Sequence, residues 1–250
     1  MYFFLLSLFN FRIYNKTMQA MLIYKVAEIR KEADGVKIFR MVPEGDSIKH
    51  RPGQFVLMHF LDNDGRSILK RPYSIASAPD SPYLEFCIKM VGGDFTSKLD
   101  KMKNGATVGI QGPLGNMSYD GERCVFICGG TGIAPVMSMI RDIAKKNAKG
   151  KFLVFYSVKK RDLLVFRKEL EELSKKNPSI NVILTLTQET PEGWSGKCGR
   201  ISESMLREFV PDPKDFNWYL CGPLKMTQAM RECLLRMGVN EKKVYLEGWG

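Results

Sequence analysis

The sequence predicts two domains: an N-terminal antiparallel Greek-key β-barrel, then a five-stranded parallel, doubly wound α/β sheet. Three observations predict it. Near Asp120 the pattern changes from short strands broken by turn residues to alternating strands and helices. A glycine-rich loop, CGGTG at 128–132, joins an apolar strand to a helical stretch. A chain of 250 residues, 44% of them apolar, has enough material for two modest cores.

The opening MYFFLLSLFNF is apolar for about ten residues, roughly half of what a membrane-spanning helix needs. It lacks the basic n-region and small-residue cleavage site of a signal peptide. Residues 1–20 therefore read as a leader, from an upstream start or as a disordered tail, with a short docking segment as the alternative. No transmembrane span is expected.

From Met21 to Tyr119 the pattern suits a small barrel. In GQFVLMHF, alternation places Phe55, Leu57 and His59 on one face and Val56, Met58 and Phe60 on the other. DNDG at 62–65 and SAPDSP at 77–82 are turn signals that divide the strands. Between them lies LKRPYSIASAP, in which an arginine, a tyrosine and a serine alternate around a proline.

From Asp120 to Gly250, five β-rich runs follow: RCVFICGG, KFLVFYSV, INVILTLT, NWYLCGP and KKVYLEG. Helices are expected at 134–147, 163–176 and 223–237. In the last, Met226, Met230, Cys233, Leu234 and Met237 form one apolar face, which reads as core. Ligands of such a sheet sit beyond the C-terminal ends of its strands.

The formal charge of +11 reads either as a solvated lysine-rich surface or as attraction to an acidic partner or anionic surface. The positive residues are scattered and not interleaved with aromatics, so no nucleic-acid groove is expected. The six cysteines form no CxxC pair, which excludes a zinc knuckle or plant-type iron–sulfur spacing. No metal is expected, and a reducing cytoplasm suits these thiols.

Two strand-to-helix junctions carry the chemistry. In CGGTGIAP, Gly130 and Gly132 permit a tight turn and close approach of backbone to a pyrophosphate at the helix N-terminus. Pro135 stands where the usual dinucleotide fingerprint has a third glycine, and it fits the first helical turn. In YLCGPLKM, Cys221 ends a strand, Gly222 turns and Pro223 starts a helix, so the cysteine is expected to face the crevice of the first loop. A buried structural thiol is the alternative.

Taken in order, RPYS, GGDFTSKL, GPLG, GGTGIAP, CGP and a terminal aromatic resemble the ferredoxin–NADP reductase superfamily across residues 22–250. That superfamily includes cytochrome b5 reductases, oxygenase reductases and electron-transfer subunits of dihydroorotate dehydrogenases. The resemblance implies an FAD-binding barrel over 21–119 and an NAD(P)-binding domain over 120–250.

It also implies roles. Arg71 pairs with the FAD pyrophosphate, Tyr73 packs on the flavin and ribityl chain, Pro72 completes the segment, and Ser74 bonds near flavin N5. The residue types agree, since a guanidinium fork matches phosphate oxygens and a phenol offers an apolar face with a polar tip. Gly92, Gly93, Thr96 and the weaker candidate Ser97 hold the pyrophosphate. Gly130, Thr131, Gly132 and Pro135 hold the nicotinamide dinucleotide, while Cys221, Gly222 and Pro223 orient its ring. Trp249 shields the flavin face, Glu247 stands two residues before it, and the extra Gly250 departs from the family pattern.

The resemblance implies FAD with NADH or NADPH as cofactors. Thr187 and Gln188 lack the charge that a ribose phosphate calls for, whereas Lys159, Lys160 and Arg161 supply it, and the balance leans to NADH. The expected enzyme is an NAD(P)H reductase that exchanges single electrons with a separate acidic carrier, a ferredoxin or flavodoxin. The alternatives are an electron-transfer subunit of a larger dehydrogenase or hydrogenase, and a non-catalytic dinucleotide-binding module. No oligomeric state is implied.

Overall fold

The structure, a computed structural model, describes residues 20–249, with Trp249 by its backbone alone. Apart from Ala20, the expected leader lies outside the described residues.

The first sheet is built from β1 (Leu22–Ala33), β2 (Val36–Pro43), β3 (Phe55–Leu61), β4 (Ser67–Ser74), β5 (Leu84–Lys89) and β6 (Thr107–Leu114), with α1 (Asp94–Asp100) between the last two. The strands pair antiparallel in the order β4-β3-β6-β1-β2-β5. The ends of this order meet just past β4, where the Ala76 amide donates to Glu85 O at 2.7 Å. Alternation along β3 sends Val56 and Met58 into the barrel core, with Phe60 packed against it. On the opposite face, buried His59 shares a 2.8 Å hydrogen bond between its Nδ1 and Ser67 Oγ.

The second sheet follows β7 (Arg123–Gly129), α2 (Ile133–Lys145), β8 (Lys151–Val158), α3 (Arg167–Lys176), β9 (Ile180–Leu186), β10 (Lys197–Cys198), α4 (Glu203–Phe209), β11 (Asn217–Pro223), α5 (Leu224–Arg236) and β12 (Val244–Trp249). All pairs are parallel, in the order β10-β9-β8-β7-β11-β12. The sheet therefore has six strands where five are predicted. The extra one, β10, is two residues long, too short to carry a period. Helix α4 is also absent from the prediction, although the Ser202 hydroxyl that accepts from the Met205 amide at 3.2 Å is a recognisable N-cap signal. Helix α3 begins later than expected because residues 161–163 form a 3-10 turn and Phe166 takes a left-handed φ of 58°.

Met230, Cys233 and Leu234 of α5 and Met237 just after it are buried in one cluster and Met226 packs against it, as the periodicity predicts. The chain adds β8, β9 and β10 on one side of β7, then crosses to β11 and β12 on the other. This reversal leaves a crevice at the C-terminal ends of β7 and β11. The two sheets share an apolar interface, in which Ala33, Ala76 and Cys87 of the barrel pack in one cluster with Met137, Met139 and Tyr156.

Candidate functional site

Strand β4 is an edge, where a proline is tolerated and both faces can meet a ligand. Arg71, Pro72, Tyr73 and Ser74 all line a cleft of about 800 Å³ between the two sheets. The facing wall is Thr131, Ala134, Leu246, Glu247 and Gly248. Arg71 is exposed, and its Nη1 donates to the Lys70 carbonyl at 2.8 Å. Among the described residues the rest of its five-donor fork has no hydrogen-bond partner, so it can meet an anion. The Tyr73 ring packs on Phe95, centroids 5.6 Å apart, and Phe95 packs on Phe60 at 4.8 Å. Burial pushes the Tyr73 phenol up to about 12 against the opposing charge of Arg71. It stays protonated at neutral pH and offers an O–H.

The segment GGDFTSKL forms the turn into α1. Gly93 is its N-cap, with no side-chain cap, so the first amides of the helix lack intrahelical acceptors. Thr96 Oγ1 donates to Gly93 O at 3.2 Å, which fixes the hydroxyl beside those amides. Gly93 and Thr96 are in the cleft wall, whereas Gly92 and Ser97 are outside it.

On the other side, Gly130–Gly132 form a 3-10 turn that leads into α2. Gly132 is wedged against β11: a Cβ there would stand 2.4 Å from Cys221 O and 2.7 Å from Gly222 Cα. A Cβ at Gly130 would meet nothing within 4 Å, and its φ of 56° suits glycine. Pro135 is buried in the first turn of α2.

Cys221 lies beneath this turn, fully buried in the cluster that holds Cys128 and Tyr219, and it is not in the cleft wall. Burial pushes its thiol well up, so it is an apolar packing group. Gly222 and Pro223 are likewise outside the wall. The register pairs Cys221 with Glu247, and it is Glu247 that reaches the cleft. Burial raises the Glu247 carboxyl to about 7. Trp249 pairs through its backbone with Pro223, and its side chain lies outside the described residues.

Past the C-terminal ends of β8 and β9, the Thr187 and Gln188 amides donate to Val158 O and Lys159 O, each at 3.0 Å. Lys159, Lys160 and Arg161 are exposed beside them. The Glu189 carboxylate, which the motifs do not mark, accepts from the Arg161 amide. Also unmarked by the motifs are Cys87, in the buried strand β5, and Val91 and Leu246, which are 69% and 37% exposed at the cleft. Their positions follow from the meeting of the two sheets, for which the sequence carries no local signal.

These donor sets fit dinucleotides. A guanidinium and a run of free helix amides suit a pyrophosphate on the barrel side, and Tyr73 offers an aromatic surface beside them. A turn too tight for any Cβ at Gly132 faces them from the crevice of the parallel sheet. Among the described residues no group of three His, Cys, Asp or Glu could hold a metal ion, and no helix is long and apolar enough to cross a membrane.

Comparison with known proteins agrees. The oxidoreductase FAD-binding domain family matches residues 24–119, and the oxidoreductase NAD-binding domain family matches residues 126–232. NADH-cytochrome b5 reductase 1 of Dictyostelium discoideum is 31% identical over 220 residues, 84% of this chain and 75% of that protein. The glycine betaine monooxygenase reductase subunit of Pseudomonas aeruginosa (strain UCBPP-PA14) is 30% identical over 208 residues. The match takes in 80% of this chain and 56% of that subunit, so the chain spans about half the length of that relative.

Among solved structures, the flavohem-like FAD/NAD-binding domain of a nitric oxide dioxygenase from Vibrio cholerae O1 biovar El Tor has a TM-score of 0.82 at 24% identity, covering 92% of this chain and 98% of that one. A ferredoxin NADP+ reductase from Neisseria gonorrhoeae, with FAD and NADP bound, has a TM-score of 0.78 at 22% identity, covering 91% and 98%. At these identities the likeness is one of fold.

Proposed function

The chain belongs to the FAD- and NAD-binding oxidoreductases of the ferredoxin–NADP reductase superfamily, and from that premise we propose that it is an NAD(P)H reductase serving a separate electron-carrier protein. The observation that carries this reading is the single cleft in which Arg71, Tyr73 and Ser74 of the barrel face Thr131 and Glu247 of the parallel sheet.

When bound, the flavin supplies exchange between two-electron hydride chemistry and one-electron transfer. The protein supplies position. Arg71, the first amides of α1 and Thr96 would hold the FAD pyrophosphate. Tyr73 would offer its ring to the flavin and Ser74 its hydroxyl as a hydrogen-bonding group near N5. The turn 130–132 would hold the nicotinamide dinucleotide at the cleft that Thr131 and Glu247 line, and Trp249 ends the strand that bounds the same opening. Hydride transfer needs the reacting atoms about 3–3.5 Å apart, so placement of the two rings is the main catalytic contribution. Cys221 acts from below as packing under the nicotinamide site.

The partner we propose is an acidic carrier of the ferredoxin or flavodoxin kind. The +11 charge favours such an encounter. So do exposed Lys89 and Val91, which place a cation and an apolar contact at the cleft mouth. A cytoplasmic place suits the six unpaired cysteines. NADH is the proposed donor, because Glu189 stands among the cations that a ribose phosphate would use. A second reading, the reductase component of a larger assembly, draws support from the Pseudomonas relative, which is a reductase subunit of a monooxygenase.

An anaerobic absorbance spectrum before and after stoichiometric NADH, and separately NADPH, tests the reading. A flavin band bleached more fully by stoichiometric NADH than by NADPH is expected. A protein that stays colourless after added FAD would sink it.

A further inference from the structure

On the reading that nicotinamide and flavin meet in this cleft, we infer that Arg141 is a positioning residue, which sets the register of one cleft wall against the other. Its guanidinium joins the two domains. Nη1 donates to Glu85 Oε1 at 2.7 Å and to Ala76 O at 2.8 Å, both on the barrel. Nε and Nη2 donate in parallel to the two oxygens of Glu169 on α3, each at 2.7 Å. The plane lies over the Phe166 ring, 5.0 Å from its centroid.

The attachment points matter more than their number. Ala76 is two residues past Ser74, and Glu85 is two residues before Cys87, so the barrel contacts adjoin two of the segments that line the cleft. Arg141 itself is on α2, eight residues after Ile133, or about 12 Å along a rigid helix whose first turns carry Ala134 and follow Gly132. One side chain therefore ties the barrel wall to the helix that presents the opposing wall.

Glu85 is fully buried, and its other oxygen is held by Arg40 at 2.8 Å. The carboxylate cannot swing out to solvent without breaking its bonds to both guanidiniums, of which Arg141 would keep only the Glu169 carboxylate and Arg40 only that of Glu28. The joint is thus stiff, as a planar five-donor fork allows and an ammonium does not. Neighbouring contacts, Ser138 Oγ to Ser77 O at 2.7 Å and the Phe166 amide to Glu32 Oε1 at 2.9 Å, close the interface around it but do not reach both segments. A 1 Å misplacement in a near-attack geometry can cost on the order of a hundredfold in rate.

The experiment compares wild-type holoprotein with Arg141→Ala by anaerobic stopped-flow reduction with NADH, together with FAD content and amide hydrogen exchange across 74–78 and 165–167. The expected result is a limiting reduction rate lower by about tenfold to a hundredfold, an apparent coenzyme Kd changed by less than threefold, full FAD content, and faster exchange in both segments. An unchanged limiting rate in a flavin-loaded variant overturns the inference. So does a loss that appears wholly in Kd or in FAD content. Where Arg141→Ala does not accumulate folded, Arg141→Lys decides by the same readouts: a loss of threefold or more in limiting rate with full flavin supports the role, and none overturns it. A wild-type protein that neither NADH nor NADPH reduces overturns the proposed function instead.

Discussion

Gly132 and Cys221 touch through their backbones, so closely that a methyl group on Gly132 would stand 2.4 Å from the Cys221 carbonyl oxygen. The contact joins the turn before α2 to the end of β11, the two strand ends between which the sheet reverses its order.

Gly132→Ala is therefore expected to displace the turn, because the obstacle is backbone. Overpacking of this kind costs about 1–3 kcal/mol. The larger effect falls on the coenzyme, with affinity for NADH reduced about tenfold or more while FAD is retained. Denaturant unfolding and a coenzyme titration check the two parts. Unaltered affinity would place the dinucleotide elsewhere.

Arg71→Ala removes an exposed guanidinium that, among the described residues, makes one hydrogen bond, to its neighbour's carbonyl. Little stability should be lost. A hydrogen bond to a charged group contributes about 1.5–3 kcal/mol, so the FAD Kd should rise about tenfold to a hundredfold. Fluorescence of released flavin on dilution measures this, and full occupancy in the purified variant would show that the pyrophosphate partner is another residue.

Glu247 should make the protein less stable as pH rises. Its folded-state value is raised from 4.5 to about 7 by burial, so the protonated form is favoured in the fold. The stability it contributes is complete below pH 4.5 and is lost as pH climbs through 7. Glu247→Gln is expected to gain on the order of 1–2 kcal/mol relative to wild type at pH 8. Melting curves from pH 4.5 to 8 test it, and parallel curves for the two proteins would refute it.

Glu85 should behave in the opposite sense. Burial alone would raise its carboxyl, but Arg141 and Arg40 outweigh that and hold it below its ordinary value. Its contribution is present at neutral pH and lost as pH falls through that lowered value. Removing one partner from a buried charge cluster costs about 3–5 kcal/mol, which is the loss expected for Glu85→Ala in urea unfolding at pH 7. A loss below 1 kcal/mol would mean that the two arginines find water.

Much of this molecule is legible locally. Two residues per period in β3 and the apolar face of α5 each declare the element and the side that is buried, and RPYS and GGTGIAP mark segments that reach the cleft. The two-residue β10 has no period to read. Cys221 illustrates a different limit. Its place at a strand end is evident in the sequence, but whether its thiol faces the cleft depends on how β11 lies beneath the Gly132 turn, and there it is buried while Glu247 takes the wall.

What propagates along the chain is written in its residues: the antiparallel barrel, the parallel sheet, the glycine turn before α2, and the net positive charge. Tertiary structure decided what depends on two distant segments meeting. It brought Ser74 and Thr131 to one cleft, raised Glu247 by covering it, and buried Glu85 against Arg141 across 56 positions of chain. Periodicity and turn chemistry act over a few residues and are written in neighbours, whereas burial and charge pairing act through space, where sequence distance carries no information.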